Sequence, residues 1–167
     1  MSRFYSLILL TALGAVTAAA QQPSIEIRAD YSRGTQTHTD AWGGGGSLQL
    51  TWGSTSAPIQ INTSVSGDYL KQGDGGPGTA MLGYDLTAQP GGNMTLKPYA
   101  GGGASLNWST GDNKSWEDAK AGYDVIGGLL LHLSSLPSMQ WKVEERFGYI
   151  NREEHTLQTR LGVIFSL

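Results

Sequence analysis

The sequence has no cysteine and few charged residues, and both absences exclude classes of protein. Without cysteine among its 167 residues, the chain can form no disulfide, Cys-ligated metal site, thiol nucleophile or lipid-modified N-terminal cysteine. Charged residues make up 15% of the chain, against roughly 25% in an average soluble domain. Because 11 basic residues stand against 14 acidic ones, the net charge of −3 gives no positive surface for nucleic acid, and no nucleic-acid partner is expected.

Long apolar runs are also missing, and the one apolar stretch, Leu7–Val16, lies at the N-terminus. It is too short for a transmembrane helix, which needs ~20 residues. A weakly basic start precedes it and small residues follow it up to Ala20, an order typical of a secretory signal. The sequence therefore predicts a signal peptide over residues 1–20 and one exported domain over residues 21–167.

Helical periodicity is almost absent, and apolar and polar residues alternate instead. Eight such segments of 9 to 15 residues match the ~9–11 residues of a tilted membrane strand. They are Ser24–Ser32, Trp42–Trp52, Ile59–Tyr69, Thr79–Gln89, Met94–Trp108, Lys120–Leu133, Met139–Ile150 and Glu154–Leu167.

The connections between these segments alternate in kind, which predicts a barrel with two unlike rims. Short connections rich in Gly, Pro and Ser are Gly53–Pro58, Pro90–Asn93 and Ser134–Ser138. Longer polar connections are Arg33–Ala41, Leu70–Gly78 and Ser109–Ala119, and Asn151–Glu153 is a short exception at the same end. We therefore predict an all-β fold, an eight-stranded antiparallel up-and-down transmembrane β-barrel with a porin-like architecture.

The positions of the aromatic residues favour a membrane barrel over a soluble, lipocalin-like ligand-binding barrel, whose apolar face points inward. If the first strand runs toward the long connections, six aromatic residues of the apolar face all lie at that end. They are Tyr31, Trp42, Tyr69, Trp108, Tyr123 and Tyr149. This predicts an aromatic girdle at the level of lipid headgroups, with Trp52 and Trp141 as a sparser second belt.

The polar face carries six acids and five bases and predicts an ion-paired lumen. These residues are Glu26, Arg28, Asp30, Asp68, Asp85, Lys97, Asp124, Lys142, Glu144, Arg146 and Arg160. The interior of an eight-stranded barrel is just wide enough for side chains to fill. Small residues of the same face, such as Gly45 and Gly103, leave room for long ion-paired ones. Two other residues fit the pattern badly: Glu145 faces lipid by parity, and Pro98 marks a bulge or a rim position.

Three stretches and the C-terminal strand carry a resemblance to known proteins. Lys97–Gly103, Gly127–Ser135 and Gly162–Phe165, with alternation up to Leu167, resemble the small outer-membrane β-barrels of the OmpX and OmpA transmembrane-domain type. The resemblance covers residues 21–167. It implies a location in the bacterial outer membrane, contact with outer-membrane lipid and lipopolysaccharide, and insertion by the outer-membrane assembly machinery.

One pattern hints at catalysis, since lipid A deacylases are eight-stranded barrels that use a His-x-Ser pair with a distant Glu. Here His132, Ser134 and Glu144 stand in that order. However, Ser135-Leu136 replaces the Asn-Ala that follows the serine of that family, and Ser134 falls in a short connection. We therefore predict a scaffold with a structural or adhesion role and no catalytic residues, with a lipid A-modifying enzyme as the alternative.

The remaining ligand-type residues predict neither a metal site nor a cofactor. His38, His132 and His155 are scattered along the chain, and the acids of the third long connection lack the spacing of a metal-binding loop. That connection also places Trp116 among charged residues, which makes it the best candidate for a contact on the cell surface. The sequence names no surface ligand.

Overall fold

The computed structural model describes residues 22–35, 38–73, 75–110, 119–150 and 154–167. Its strands are β1 (Gln22–Gly34), β2 (Asp40–Trp52), β3 (Ile59–Gln72), β4 (Gly78–Pro90), β5 (Leu96–Ser109), β6 (Lys120–His132), β7 (Met139–Ile150) and β8 (Glu154–Ser166). The described ranges contain no helix that is long and apolar enough to cross a membrane. Residues 1–20 lie outside these ranges, so the signal peptide stays a prediction.

The eight strands form one closed antiparallel barrel. Each strand pairs with its neighbours in sequence, and β1 also pairs with β8, so the sheet has no free edge. Closure lets every strand find backbone hydrogen-bond partners on both sides, which a lipid environment requires. The predicted all-β, up-and-down architecture is confirmed.

The two faces of each strand meet different surroundings, and β6 shows this clearly. Ile126 and Leu130 point into the barrel and are 1% and 7% exposed, whereas Val125 and Leu129 point outward and are 63% and 44% exposed. Across the described residues the buried set is mainly polar and charged, and the large exposed side chains are mainly apolar. This distribution is the reverse of a soluble barrel and excludes the lipocalin-like alternative.

Several strand boundaries differ from the predicted segments by one to three residues. At the end with the long connections, β2 begins at Asp40 rather than Trp42, and β3 continues to Gln72 rather than ending at Tyr69. At the other end, β5 begins at Leu96 rather than Met94. Because backbone pairing continues past the aromatic residues, the predicted long connections are shorter than their polar composition suggested.

Pro98 causes no bulge in β5. The β5–β6 register is continuous from Leu96 opposite Leu131 to Tyr99 opposite Gly128. Pairing with β4, by contrast, ends at Ala100 opposite Ala88. Pro98 therefore lies near the rim, beyond the end of one ladder, where a missing backbone N–H is least costly.

Candidate functional site in the barrel lumen

One connected set of ion pairs occupies the middle of the lumen. It joins ten of the eleven charged residues predicted on the polar face: Glu26, Arg28, Asp30, Asp68, Asp85, Asp124, Lys142, Glu144, Arg146 and Arg160. The most exposed side chain among them, that of Asp124, is only 11% accessible. Six carboxylates and four cations from six strands thus meet in one buried layer, which we call the ion network.

Two arginines share two aspartates on the β1, β3 and β8 side of the ion network. Arg28 Nη2 donates to Asp68 Oδ1 at 2.5 Å, and Arg160 Nη2 donates to Asp68 Oδ2 at 3.2 Å. Asp30, 2% exposed, has its Oδ1 atom 3.6 Å from Arg28 Nε and 3.5 Å from Arg160 Nε. Such shared contacts offset part of the cost of removing these charges from water.

Arg146 organises the opposite side of the ion network. Its Nη1 and Nη2 atoms donate to the two carboxylate oxygens of Asp85 at 2.8 and 2.5 Å, a bidentate arrangement. Its Nε atom donates to Glu144 Oε1 at 2.6 Å. Glu144 Oε2 also accepts a hydrogen bond of 2.7 Å from the Tyr99 hydroxyl, so a buried tyrosine belongs to the network.

Lys142 links the two sides. Its Nζ atom lies 2.6 Å from Glu26 Oε1 and 3.2 Å from Glu144 Oε2. Glu26 Oε2 accepts further hydrogen bonds of 2.8 Å from Ser47 and from Gln49. Charge alone does not identify Ser47, Gln49 and Tyr99 as members of the network, although strand parity places all three on the polar face.

Glycines on the inner face make room for the ion network. A Cβ atom added at Gly45 would overlap the Asp68 carboxylate, and one at Gly103 would lie 2.6 Å from Asp124 Oδ1. A Cβ atom at Gly162 would lie 2.7 Å from Glu26 Oε1. A larger residue at any of the three positions would therefore have to displace a carboxylate of the ion network.

Lys97, the eleventh predicted residue, is not part of the ion network. It forms no ion pair among the described residues and lines a cavity of about 340 Å³ at the end of the short connections. Toward the other end, next to Asp124 and Arg146, the described residues line a second space of about 20 Å³. Of these two spaces, the larger one therefore lies on the side of the short connections.

The six predicted girdle residues lie on the outer face near the long connections. Tyr31 and Trp42 are cross-strand partners with ring centroids 4.4 Å apart, and Tyr123 and Tyr149 stack at 5.2 Å. Tyr69 is 47% exposed, and Trp108 is half-buried. His155 extends this surface, because its ring lies 4.5 Å from that of Tyr149.

Glu145 faces outward midway along β7, as strand parity predicts. Thr159, its cross-strand partner on β8, donates a hydrogen bond to both carboxylate oxygens at 2.9 and 3.1 Å. On the other side, its partner on β6 is Gly127, whose missing side chain leaves open space. A neighbouring hydroxyl therefore replaces part of the solvation that this carboxylate would lose in lipid.

The residues of the catalytic alternative are not assembled. His132 borders the lumen cavity, whereas Ser134 is exposed in the connection after β6. Glu144 is occupied by Arg146, Lys142 and Tyr99, and no hydrogen bond among the described residues joins it to His132. The described residues also contain no cluster of three or more potential metal ligands. Asp112, Trp116, Glu117 and Asp118 lie outside the described residues.

Comparison with solved structures identifies the same architecture. Neisserial surface protein A aligns with a TM-score of 0.61 at 16% identity over 86% of this chain and 96% of that one. Ail, the attachment invasion locus protein of Yersinia pestis, in complex with the heparin analogue sucrose octasulfate, aligns with a TM-score of 0.56 at 15% identity over 87% of this chain and 98% of that one. The outer membrane enzyme PagL aligns with a TM-score of 0.51 at 13% identity over 84% of this chain and 98% of that one.

No protein-family model matches the sequence, and no curated protein sequence matches it. At these identities the structural matches establish the fold, and proteins of different function share that fold. The chain has the fold of the small eight-stranded outer-membrane β-barrels, as the sequence resemblance predicted.

Proposed function

We propose that this chain is a non-enzymatic protein of the bacterial outer membrane that acts as a scaffold and makes its specific contacts through the loops at the long-connection end. The buried ion network carries this proposal, because its ion-paired side chains occupy the middle of the lumen and are at most 11% exposed. The outer face is apolar between aromatic residues, which supports residence in lipid. Specific recognition is then assigned to the loops, where barrels of this kind vary.

Three further features belong to the same proposal. The loops between β1 and β2, β3 and β4, and β5 and β6 face the cell surface, and the sequence of the third contains Trp116. Lipopolysaccharide and other outer-membrane lipids surround the barrel, and the outer-membrane assembly machinery inserts it after export. The similarity to Ail and to Neisserial surface protein A supports a surface role, and the scattered positions of His132, Ser134 and Glu144 argue against the lipid A-modifying alternative.

Labelling of intact cells tests the orientation. Because the chain has no cysteine, Ser115→Cys in the third long loop and Ser56→Cys in the turn after β2 each introduce a single thiol. A membrane-impermeant maleimide should label Ser115→Cys on intact cells and Ser56→Cys only after the outer membrane is permeabilised. The reverse pattern would show that the proposed orientation is wrong.

Shortening of the third loop tests where recognition occurs. Replacing residues 113–118 by a two-residue turn should leave heat-modifiable gel migration unchanged, since no strand is altered. Any adhesion conferred by the full-length chain should fall. Mass spectrometry of lipid A from expressing cells should show no change, and loss of an acyl chain would support the enzyme instead.

A further inference from the structure

The larger space of the lumen borders the three short connections. Thr55, Asn93 and Pro137, one from each of these connections, belong to its lining. Its volume of about 340 Å³ lies at the lower end of the range of small-molecule sites. An eight-stranded barrel interior either is filled by its own side chains or holds one small ligand. Because this half is not filled, the chemistry of its lining indicates what it can hold.

The charges around this cavity do not favour an ionic ligand. Two cations and two carboxylates line it: Lys97, Lys142, Asp85 and Glu144. Their charges sum to zero, and all except Lys97 are ion-paired within the ion network. A charged ligand would lose its hydration here without a net opposite charge to replace it. The cavity therefore suits a neutral molecule.

Three neutral polar side chains offer hydrogen-bonding groups to this cavity. They are Asn62 of β3, Thr87 of β4 and Gln140 of β7. Asn62 Oδ1 accepts a hydrogen bond of 2.8 Å from Thr51 Oγ1, and Asn62 Nδ2 forms none with the described residues. The side chains of Thr87 and Gln140 form none with them either, and all three residues are half-buried rather than enclosed. Their remaining N–H, O–H and carbonyl groups are therefore accessible to a ligand inside the barrel.

The cavity also has a small apolar surface. Tyr99, Leu130 and Ile164 line it, and all three belong to one apolar cluster inside the barrel. A ligand that complements the whole lining is neutral, bears several hydrogen-bonding groups and has an apolar face. A pyranose ring meets these requirements, because its hydroxyl groups lie around its edge and its C–H groups form a face.

We propose that this cavity is a binding site for a neutral monosaccharide, reached from the rim of the short connections. The sugar hydroxyl groups form hydrogen bonds with Asn62, Thr87 and Gln140, and its C–H face lies against Leu130 and Ile164. A hydroxyl group both donates and accepts, so it matches a side-chain amide or hydroxyl in either sense. The site depends on the lumen alone, so it stands or falls independently of the role proposed for the surface loops.

Three probes of nearly equal size test the site in the full-length mature barrel. Isotope-labelled protein, folded in micelles of a sugar-free phosphocholine detergent, is titrated with methyl glucoside, with its 2,3-dideoxy analogue and with methyl glucuronoside, which carries a carboxylate. We expect methyl glucoside to give saturable NMR shifts of backbone amides around Asn62, Thr87 and Gln140. The dideoxy analogue should bind about tenfold more weakly or less, because polar groups of the site lose their partners. Absence of saturable shifts, equal binding of the dideoxy analogue, or tighter binding of the glucuronoside would overturn the proposal.

A matched pair of variants tests the role assigned to Asn62. Asn62→Leu should weaken binding of methyl glucoside about tenfold, because the ligand loses the side-chain amide. Asn107, the control, is an inward amide that lines the space of about 20 Å³ at the other end of the lumen, and Asn107→Leu should bind methyl glucoside as the unmodified chain does. Heat-modifiable migration shows whether each variant is folded. If folded Asn62→Leu binds methyl glucoside unchanged, the site is wrong, and the comparison of the three probes remains decisive should that variant not fold.

Discussion

The two faces of β7 differ in the polarity and the exposure of their side chains. Its inward residues, Lys142, Glu144 and Arg146, are buried and ion-paired, whereas the outward residues Val143 and Phe147 are apolar and 47% and 40% exposed. In a soluble barrel this order would be reversed. The outer face is therefore stabilised by lipid, and the inner face depends on whether each buried charge finds its partners. Substitutions on the two faces should therefore destabilise the barrel for different physical reasons.

The largest effect is expected inside, where removal of one partner leaves other charges buried. Arg160 contacts Asp30, Asp68 and Glu144, and its side chain is 2% exposed. Arg160→Leu should lower the free energy of unfolding by about 3–5 kcal/mol, because three buried carboxylates lose a cation. Urea unfolding from lipid bilayers measures this change.

Arg33 provides the matched control for that experiment. It lies at the loop end of β1, and its side chain, 53% exposed, has its Nε atom 3.8 Å from Asp40 Oδ1. Arg33→Leu should change the free energy of unfolding by less than about 1 kcal/mol, since exposed ion pairs contribute little. Equal losses for the two variants would show that the lumen is hydrated and that its ion pairs resemble surface pairs.

Leu129 and Leu130 are adjacent on β6 and lie on opposite faces, so substitutions at these two positions compare the outer and the inner face directly. Leu129→Arg places a cation on the outer face and should cost about 2–4 kcal/mol if the site lies near mid-membrane. Leu130→Gln should cost less, since the inner face already holds polar groups and borders the open cavity. The same urea measurement applies, and equal or reversed losses would overturn the assignment of the faces.

A smaller effect is expected at Glu145, the charged residue on the outer face of β7. Glu145→Leu replaces a carboxylate by an apolar side chain on the lipid face and should stabilise the barrel by about 1 kcal/mol, because outward acids are costly there. Thr159→Val removes the hydrogen bond to Glu145 and should destabilise it. The free energy of unfolding should therefore rise in Glu145→Leu and fall in Thr159→Val. A loss of stability in Glu145→Leu would show that this carboxylate has a partner in the membrane.

The fold and ten of the charged residues in the ion network could be predicted from the sequence, because both follow from alternation. Strand parity alone places Leu129 outside and Leu130 inside, and it gathers the charged residues on one face. The glycines of the inner face also predicted space for long charged side chains in the lumen. The structure agrees with this, because a side chain at Gly45 would overlap the carboxylate of Asp68. The pattern contains this information because every second residue of a strand meets the same environment.

Partners across the barrel could not be predicted, because they depend on register and on the reach of side chains. Lys97 shares its face with the ten residues of the ion network, yet it lies too near the rim to join them. Tyr99, only two residues further along β5, reaches Glu144. The strand ends were also missed, since backbone pairing continues to Gln72 although Leu70 and Lys71 reverse the alternation of apolar and polar residues.

Arg146 lies between the two spaces of the lumen. Asp85 and Glu144, both bound to Arg146, border the cavity of about 340 Å³, and Arg146 itself borders the space of about 20 Å³ at the loop end. In planar bilayers the unmodified barrel should show no large, stable openings. Arg146→Ser would connect the two spaces and leave the carboxylates of Asp85, Asp124 and Glu144 without their shared cation. A small, cation-preferring current is therefore expected from this variant. Reproducible nanosiemens openings of the unmodified protein would show that the ion network does not close the lumen, and silence of folded Arg146→Ser would show that another residue is the barrier.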